Sequence, residues 1–331
     1  MADMILVAET TGADLSALTL TERPAPPAPK PGEVAVEMLA MSINPADVLQ
    51  LQGLYGVKPK GVFVPGSEGV ARVTAVGDGV RGLSAGDIVV PMPMGCWAER
   101  LVLPAAAVIP LPAGVNLDQA AMLKVNPTTA LVMLTDILPL APGDWVVANA
   151  ANSAVGRNLV TVGRALGIKV ACVVRREAAA TALRDLGADA VIVDDGTGRP
   201  PRLPDGARAK LGLDAIGGIA TERLGACVAD GGTIATYGLL SGESPRLSAN
   251  DLVFRGLTLQ GFWLASWFTQ TPPEKVRETY ARLVGWLMEG RIGAPVTARY
   301  PFTDLAAAVD HAAQGHRDGK VLMLTRAHPD A

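Results

Sequence analysis

Histidine and cysteine are scarce in this chain, three of each in 331 residues, and aromatic residues make up only 4%. Cys96, Cys172 and Cys227 are odd in number, widely spaced and without a C-x-x-C pair, which fits thiols used as small hydrophobes in a reducing compartment. All three histidines, His311, His316 and His328, fall in the C-terminal tail, and a four-cysteine structural zinc site is impossible with three cysteines. Sequence alone therefore supports no metal site. Neither sign of charge is in excess: a net charge of −3 supplies no basic field for nucleic acid and no strongly acidic tail. No apolar run approaches the ~20 residues that span a bilayer. The first arginine is Arg23 and the opening MADMILVAET carries acids, so neither a secretory signal nor an Arg-rich transit peptide is visible. These absences predict a cytoplasmic protein that recognises small molecules at a site, with no nucleic acid and no membrane as partner. A serine-hydrolase elbow, G-x-S-x-G, is also missing around Ser67 and Ser153.

What the chain does have is bulk and alternation. An apolar fraction of 49% and a charged fraction of 18% describe a globular protein, and 331 residues suit two domains. From Asp144 to Gly261, short β-rich runs alternate with helical patterns: WVVAN (145–149), KVACVV (169–174), AVIV (190–193), LGLDAI (211–216), TIATYG (233–238) and LTLQGF (257–262). Between the first two, Val155, Leu159, Val162 and Leu166 line one helix face, which Gly167 stops. A second stripe, Ala179, Leu183 and Leu186, ends at Gly187. Apolar strands joined by crossover helices imply an α/β fold with a doubly wound, parallel, six-stranded sheet.

The first 120 residues read differently. EVAVEMLAMSI, GVARVTAV and DIVVPM are β-like segments separated by Pro and Gly clusters, with little helical period before about residue 118. After the sixth run, TPPEKVRETYARLVGWLMEG has the capping-box spacing of Thr271 to Glu274, prolines in its first turn and Gly290 at its end, so it predicts a helix. The tail, VTARYPF, TDLAAAVDHAAQG and KVLMLT, reads as strand, helix and strand returning to the first domain. The expected boundaries are 1–121 with 267–331 for an irregular β domain, and 122–266 for a nucleotide-binding domain.

The stretch NAANSAVGRNLV, 149–160, follows the first strand and opens the first helix, where a dinucleotide turn belongs. Laid over G-x-G-x-x-G it offers Ala151, Ser153 and Gly156, so only the third glycine is kept. Ala and Ser are the next smallest residues, and Asn149, Asn152 and Ser153 add donors where helix N-terminal amides already favour an anion. The same residues would also serve as an ordinary N-cap. The next strand ends in Arg175 and Arg176, where an NAD site would place an acid for the ribose; two cations suit a 2'-phosphate and point to NADP(H), or stand as solvated charges at a strand end.

Here the residues carry a family resemblance over nearly the whole chain. The domain order, with NAANSAVGRNLV, KVNPTTALVML, ATYGLL and LQGFWLASW, resembles the 2-enoyl thioester reductases of the medium-chain dehydrogenase/reductase superfamily. That resemblance implies a GroES-like irregular β catalytic domain beside the doubly wound Rossmann domain, a homodimer, and NADPH as cofactor. At the superfamily's zinc-ligand histidine position, in PGSEGV, this chain holds Ser67. NPADVLQLQGLYGVKP resembles the family's catalytic-tyrosine segment, from Asn44-Pro45 upstream to PGSEG downstream, which implies Tyr55 as proton donor. A phenol with an ordinary pKa of about 10 stays protonated at neutral pH. The resemblance further implies cofactor contacts from Asn44, from Asn126 beside the nicotinamide, and from Asn152, Ser153, Ala154, Val155 and Gly156 at the pyrophosphate. Arg175, Arg176, Tyr237, Gly238, Leu239, Leu240, Phe262, Trp263, Leu264 and Lys320 complete the set. One departure is Glu177, where the family often has a further arginine. Plain core packing is the alternative for Trp263 and Trp267.

The activity so implied is NADPH-dependent reduction of the C2–C3 double bond of a trans-2-enoyl thioester of CoA or acyl-carrier protein. Two alternatives stay open at this stage: an NADPH:quinone or other activated-alkene reductase, and a nucleotide-binding redox sensor or structural protein without catalysis.

Overall fold

The computed structural model describes residues 3–12, 14–58, 60–314 and 318–330; His316 lies outside them. The chain divides into two compact units, Met1–Val125 with Tyr280–Ala331, and Asn126–Thr279.

The first unit opens with a hairpin of β1 (Met4–Glu9) and β2 (Thr19–Pro24), followed by β3 (Glu33–Ser42) and helix α1 (Pro45–Leu51). It continues through β4 (Gly69–Val76), β5 (Ile88–Pro91), β6 (Arg100–Pro104), β7 (Val108–Pro110) and α2 (Leu117–Ala120). The second unit holds α3 (Asn126–Asp136), β8 (Trp145–Ala148), α4 (Ala154–Leu166), β9 (Lys169–Val174), α5 (Glu177–Leu186) and β10 (Ala190–Val193). It goes on with β11 (Ala209–Asp214), α6 (Ile219–Gly225), β12 (Val228–Thr236), β13 (Thr258–Gly261) and α7 (Leu264–Gln270). Helix α8 (Pro273–Met288) carries the chain back to the first unit, which ends in β14 (Val296–Pro301), α9 (Leu305–Ala313) and β15 (Lys320–Leu324).

The first unit is built on a seven-stranded sheet ordered β14-β15-β3-β4-β5-β7, with β6 also paired to β3. Strand β3 is its spine. Val34, Val36 and Met38 alternate inward, and the strand becomes wholly buried from Met38 to Ser42, where β15 joins it with Leu322 opposite Ser42. The strand-helix-strand tail therefore returns to the first sheet, as its pattern predicts. The expectation of little helix before residue 118 is corrected by α1. Seven residues are too few to show a period, yet its start carries local signals: Pro45 in the first turn and Asp47 Oδ2 accepting the Asn44 N–H at 2.8 Å.

The second unit is the expected six-stranded parallel sheet, ordered β10-β9-β8-β11-β12-β13. Its central strands are covered on both faces, and Val146, Val147 and Ala148 are fully buried. Helices α4 and α5 end where the glycines predict, at Gly167 and Gly187, both left-handed with φ of 73° and 92°. The order reverses between β8 and β11, the switch point at which such sheets leave a crevice beyond the strand ends.

Candidate active site

At the switch point, β8 gives way to a turn that enters α4. Gly156 is required there by packing: a Cβ at this position would stand 2.3 Å from the Ala151 carbonyl oxygen, so helix and turn touch through bare backbone. Ala150 takes φ 45°, a left-handed conformation that glycine adopts more readily than alanine. Ser153 caps α4, its Oγ accepting the Gly156 N–H at 3.2 Å. Asn152, Ala154 and Val155 stand half-buried beside it. The turn thus presents the first amides of a thirteen-residue helix, with their partial positive charge, at the end of a buried strand.

Asn149, expected to add a donor to this turn, is turned inward instead. Its Nδ2 donates to Asp214 Oδ1 at 2.6 Å and its Oδ1 accepts the Ala215 N–H at 2.8 Å, joining the ends of β8 and β11. Asp214 is the residue that sequence reasoning missed. Fully buried, it accepts from Ile216 N and Gly217 N at Oδ1 and from the hydroxyls of Thr221 (2.7 Å) and Thr236 (3.3 Å) at Oδ2. One carboxylate therefore ties β8, β11, α6 and β12 together under the crevice. Its signal was an acid closing the apolar run LGLD.

The remaining expected cofactor contacts of this unit follow the carboxyl ends of its strands, apart from Asn126, which opens α3 nearly wholly buried. Arg175 and Arg176 follow β9, exposed, and among the described residues neither forms an ion pair. Glu177, the departure from the family pattern, pairs with Arg184 along α5. Tyr237 and Gly238 follow β12, with Leu239 and Leu240 exposed beyond them. The Tyr237 hydroxyl is buried and makes no hydrogen bond of normal geometry. Burial foremost, then the Asp214 carboxylate, pushes its phenol above the ordinary range, with nearby Ser153 opposing. A buried, underused hydroxyl beside the helix cap fits a site shaped for a polar ligand. Phe262 follows β13, its N–H bonded to Thr236 O at 2.9 Å; Trp263 is 41% exposed and Leu264 opens α7. Trp267 is buried, donating Nε1 to Asp136 Oδ2 at 2.9 Å, so packing accounts for it.

In the first unit, Tyr55 lies half-buried on the irregular stretch that follows α1. Gly53 ends that helix region at φ 68°, where a Cβ would stand 2.7 Å from Gly12 O, and exposed Leu54, Val57 and Val62 flank the phenol in sequence. The start of α1 is anchored in a buried polar centre. Asn44 Nδ2 donates to Glu68 Oε1 (2.7 Å) and Ser67 Oγ (3.2 Å), and Asn44 Oδ1 accepts from Lys320 Nζ (2.6 Å). Lys320 also donates to Ile43 O at 2.9 Å. Glu68 accepts further from Ser42 Oγ at 3.0 Å and Val125 N at 2.8 Å, and Ser67 Oγ donates to Asp47 Oδ2 at 3.1 Å. Asn44 and Lys320 thus sit in one network, both nearly wholly buried. Burial pushes the Asp47 carboxyl up to about 6 against its hydrogen bonds from Asn44 and Ser67.

Two family models match the chain, the alcohol dehydrogenase GroES-like domain over residues 30–113 and the zinc-binding dehydrogenase domain over residues 154–285. The human mitochondrial enoyl-[acyl-carrier-protein] reductase is 37% identical over 287 residues, 84% of this chain and 77% of that protein. A Bacillus thuringiensis structure named, provisionally, NADPH:quinone reductase superposes with a TM-score of 0.88 at 28% identity, covering 98% and 99% of the two chains. The complex titled Etr1p/NADP/crotonyl-CoA gives 0.85 at 25%, covering 97% and 100%. The Etr1p/Etr2p heterodimer of mitochondrial 2-enoyl thioester reductase from Candida tropicalis gives 0.84 at 26%, with the same coverage. The chain belongs to the enoyl thioester reductase family of the medium-chain dehydrogenases/reductases.

The zinc in the second model's description finds no matching donor set: among the described residues no group of three or more His, Cys, Asp or Glu is arranged to hold a metal ion. His311 is engaged with the Tyr300 hydroxyl at 3.0 Å, and Ser67 spends its hydroxyl on Asp47. No helix of the described residues is long and apolar enough to cross a membrane.

Proposed function

We propose that this chain reduces the C2–C3 double bond of trans-2-enoyl thioesters with NADPH, placing hydride on Cβ and a proton on Cα. The observation that carries this reading is kinship with relatives named for enoyl-[acyl-carrier-protein] reduction, joined by a structural neighbour titled with NADP and crotonyl-CoA. NADPH, when bound, supplies the hydride. The amides at the start of α4, with Ser153 and Asn152, hold its pyrophosphate; Arg175 and Arg176 take the 2'-phosphate; Tyr237 to Leu240, Phe262 to Leu264 and Asn126 line its remaining length. Tyr55 gives the proton to Cα, directly or through water. The thioester carbonyl draws charge from the double bond, so Cβ is electrophilic and the oxygen gathers negative charge that hydrogen-bond donors stabilise.

Loss of NADPH absorbance with crotonyl-CoA, and not with a benzoquinone or an enal, is the expected outcome. Turnover of the quinone alone would replace this reading with the second one, which the Bacillus thuringiensis neighbour's name favours. The carrier is CoA or acyl-carrier protein, the solved complex naming the one and the human relative the other.

Arg175 and Arg176, charged and without ion-pair partners among the described residues, carry the cofactor preference. The double change to alanine is expected to raise KM for NADPH by about tenfold or more while KM for NADH moves little, since each charged hydrogen bond contributes roughly 1.5–3 kcal/mol. Equal losses with both cofactors, or a wild-type protein that prefers NADH, would discard this assignment.

A homodimer belongs to the same proposal. Leu252, Val253 and Phe254 are 47%, 69% and 83% exposed on one π turn that leads into β13, the edge strand of its sheet. Three consecutive exposed apolar side chains beside an open edge suit a second copy of the chain. Val253→Asp with Phe254→Asp is expected to shift the mass by light scattering from dimer to monomer, and an unchanged mass would clear this surface of the role.

A further inference from the structure

The buried centre of the first unit contains a cation that neither catalysis nor cofactor binding uses. Lys124 is 4% exposed. Its Nζ donates to the carbonyl oxygens of Ser67 and of Pro93, the latter at 3.1 Å, and the Cys96 thiol converges on the same Pro93 oxygen at 3.6 Å. Burial lowers the Lys124 ammonium's pKa from its ordinary value, and Cys96, Glu68 and Asp47 oppose that by favouring its charge electrostatically. Asp47, 1% exposed, also keeps one oxygen, Oδ1, with no hydrogen-bond partner. Two carbonyl oxygens thus bind one positive charge directly, and two carboxylates and a thiol act on it from around them.

We infer that Lys124 is a tethered cation: its ammonium fills a cation-binding site formed around Ser67 O and Pro93 O, with Glu68, Asp47 and Cys96 as its electrostatic surround. The ammonium draws three stretches of chain together, the approach to β4, the segment after β5 and the segment before α3. It also supplies positive charge against the Glu68 carboxylate, which holds the neighbouring Val125 N–H. Two buried carboxylates are costly with a single cation beside them; Lys320 acts on Asp47, and a tethered Lys124 supplies the second positive charge without an ion that can dissociate. Once the side chain is shortened, the chemistry around the site selects a small primary ammonium, a compact cation with N–H donors for two carbonyl oxygens.

The test is chemical rescue. Lys124→Ala is expected to melt about 10 °C below wild type, the scale for removing one partner of a buried charged group in a chain of this size. Methylammonium chloride should recover much of that loss with a saturating dose dependence. Tetramethylammonium chloride, which has no N–H donor, and sodium chloride at equal ionic strength should not, and wild type should respond to none of them selectively. A Lys124→Ala protein that melts with wild type, or that gains equally from all three salts, overturns the inference. Should Lys124→Ala fail to fold, Lys124→Met and Lys124→Met/Asp47→Asn decide it. The amide keeps an acceptor for Asn44 N and Ser67 Oγ while removing one negative charge, so the double variant should melt above Lys124→Met. A double variant melting at or below Lys124→Met would overturn it equally.

Discussion

Replacing Tyr55 by phenylalanine is expected to lower kcat with an enoyl-CoA by roughly 10²-fold or more, the usual scale for a general acid, while NADPH still binds. The change deletes one oxygen from a half-buried side chain on an irregular stretch. Fluorescence titration with NADPH and stopped-flow single turnovers separate the two effects. A variant with wild-type turnover would take Tyr55 out of the reaction. A variant that also failed to bind cofactor would recast it as a structural residue.

Asp214→Ala carries the largest expected cost in stability. It would strand the Asn149 amide and the amides of Ile216 and Gly217, with the Thr221 and Thr236 hydroxyls also losing their acceptor, all around a fully buried position. An unmet buried donor costs about 1–3 kcal/mol, so a loss of about 3–5 kcal/mol is expected in urea denaturation. Asp214→Asn should be much milder. Its oxygen can keep the three N–H donors, and its NH2 can face threonine hydroxyls that rotate to accept. Equal losses for the two variants would mean that the negative charge, rather than the pattern of donors, holds the strand ends together. NADPH protection against thermal unfolding should shrink in Asp214→Ala, since the turn proposed to hold the pyrophosphate is bonded to this carboxylate through Asn149.

Much of the second unit was legible because its signals are local. Apolar strands of four to six residues, helix stripes and the glycines at 167 and 187 all report on neighbours in sequence. Gly156 was legible for the same reason, as a close approach five residues from the oxygen it would strike. Asn149 was assigned the wrong direction. A donor beside a dinucleotide turn looks outward in one dimension, and its partner Asp214 is 65 residues away. Helix α1 was too short for a period, though its cap residues were present. The buried centre of the first unit was the least legible part. Lys320 and Asn44 meet across 276 residues, and Lys124 reads in MLKVNP as one ordinary charge between apolar neighbours. Polar residues reveal such a network only when the fold has removed water from around them.

The pairing of β15 with β3 sets a timetable for biosynthesis. On the ribosome, Asn44 emerges 276 residues ahead of the lysine whose amine it accepts. At bacterial or eukaryotic elongation rates that gap lasts on the order of 15–55 s. Throughout it, the Ala40 to Ser42 end of the nascent spine strand lacks the partner that β15 gives it, β6 reaching only Glu33 to Glu37. A holdase that shields this end until termination would raise the soluble yield more than one acting on the second unit, whose six strands are all translated within one uninterrupted stretch.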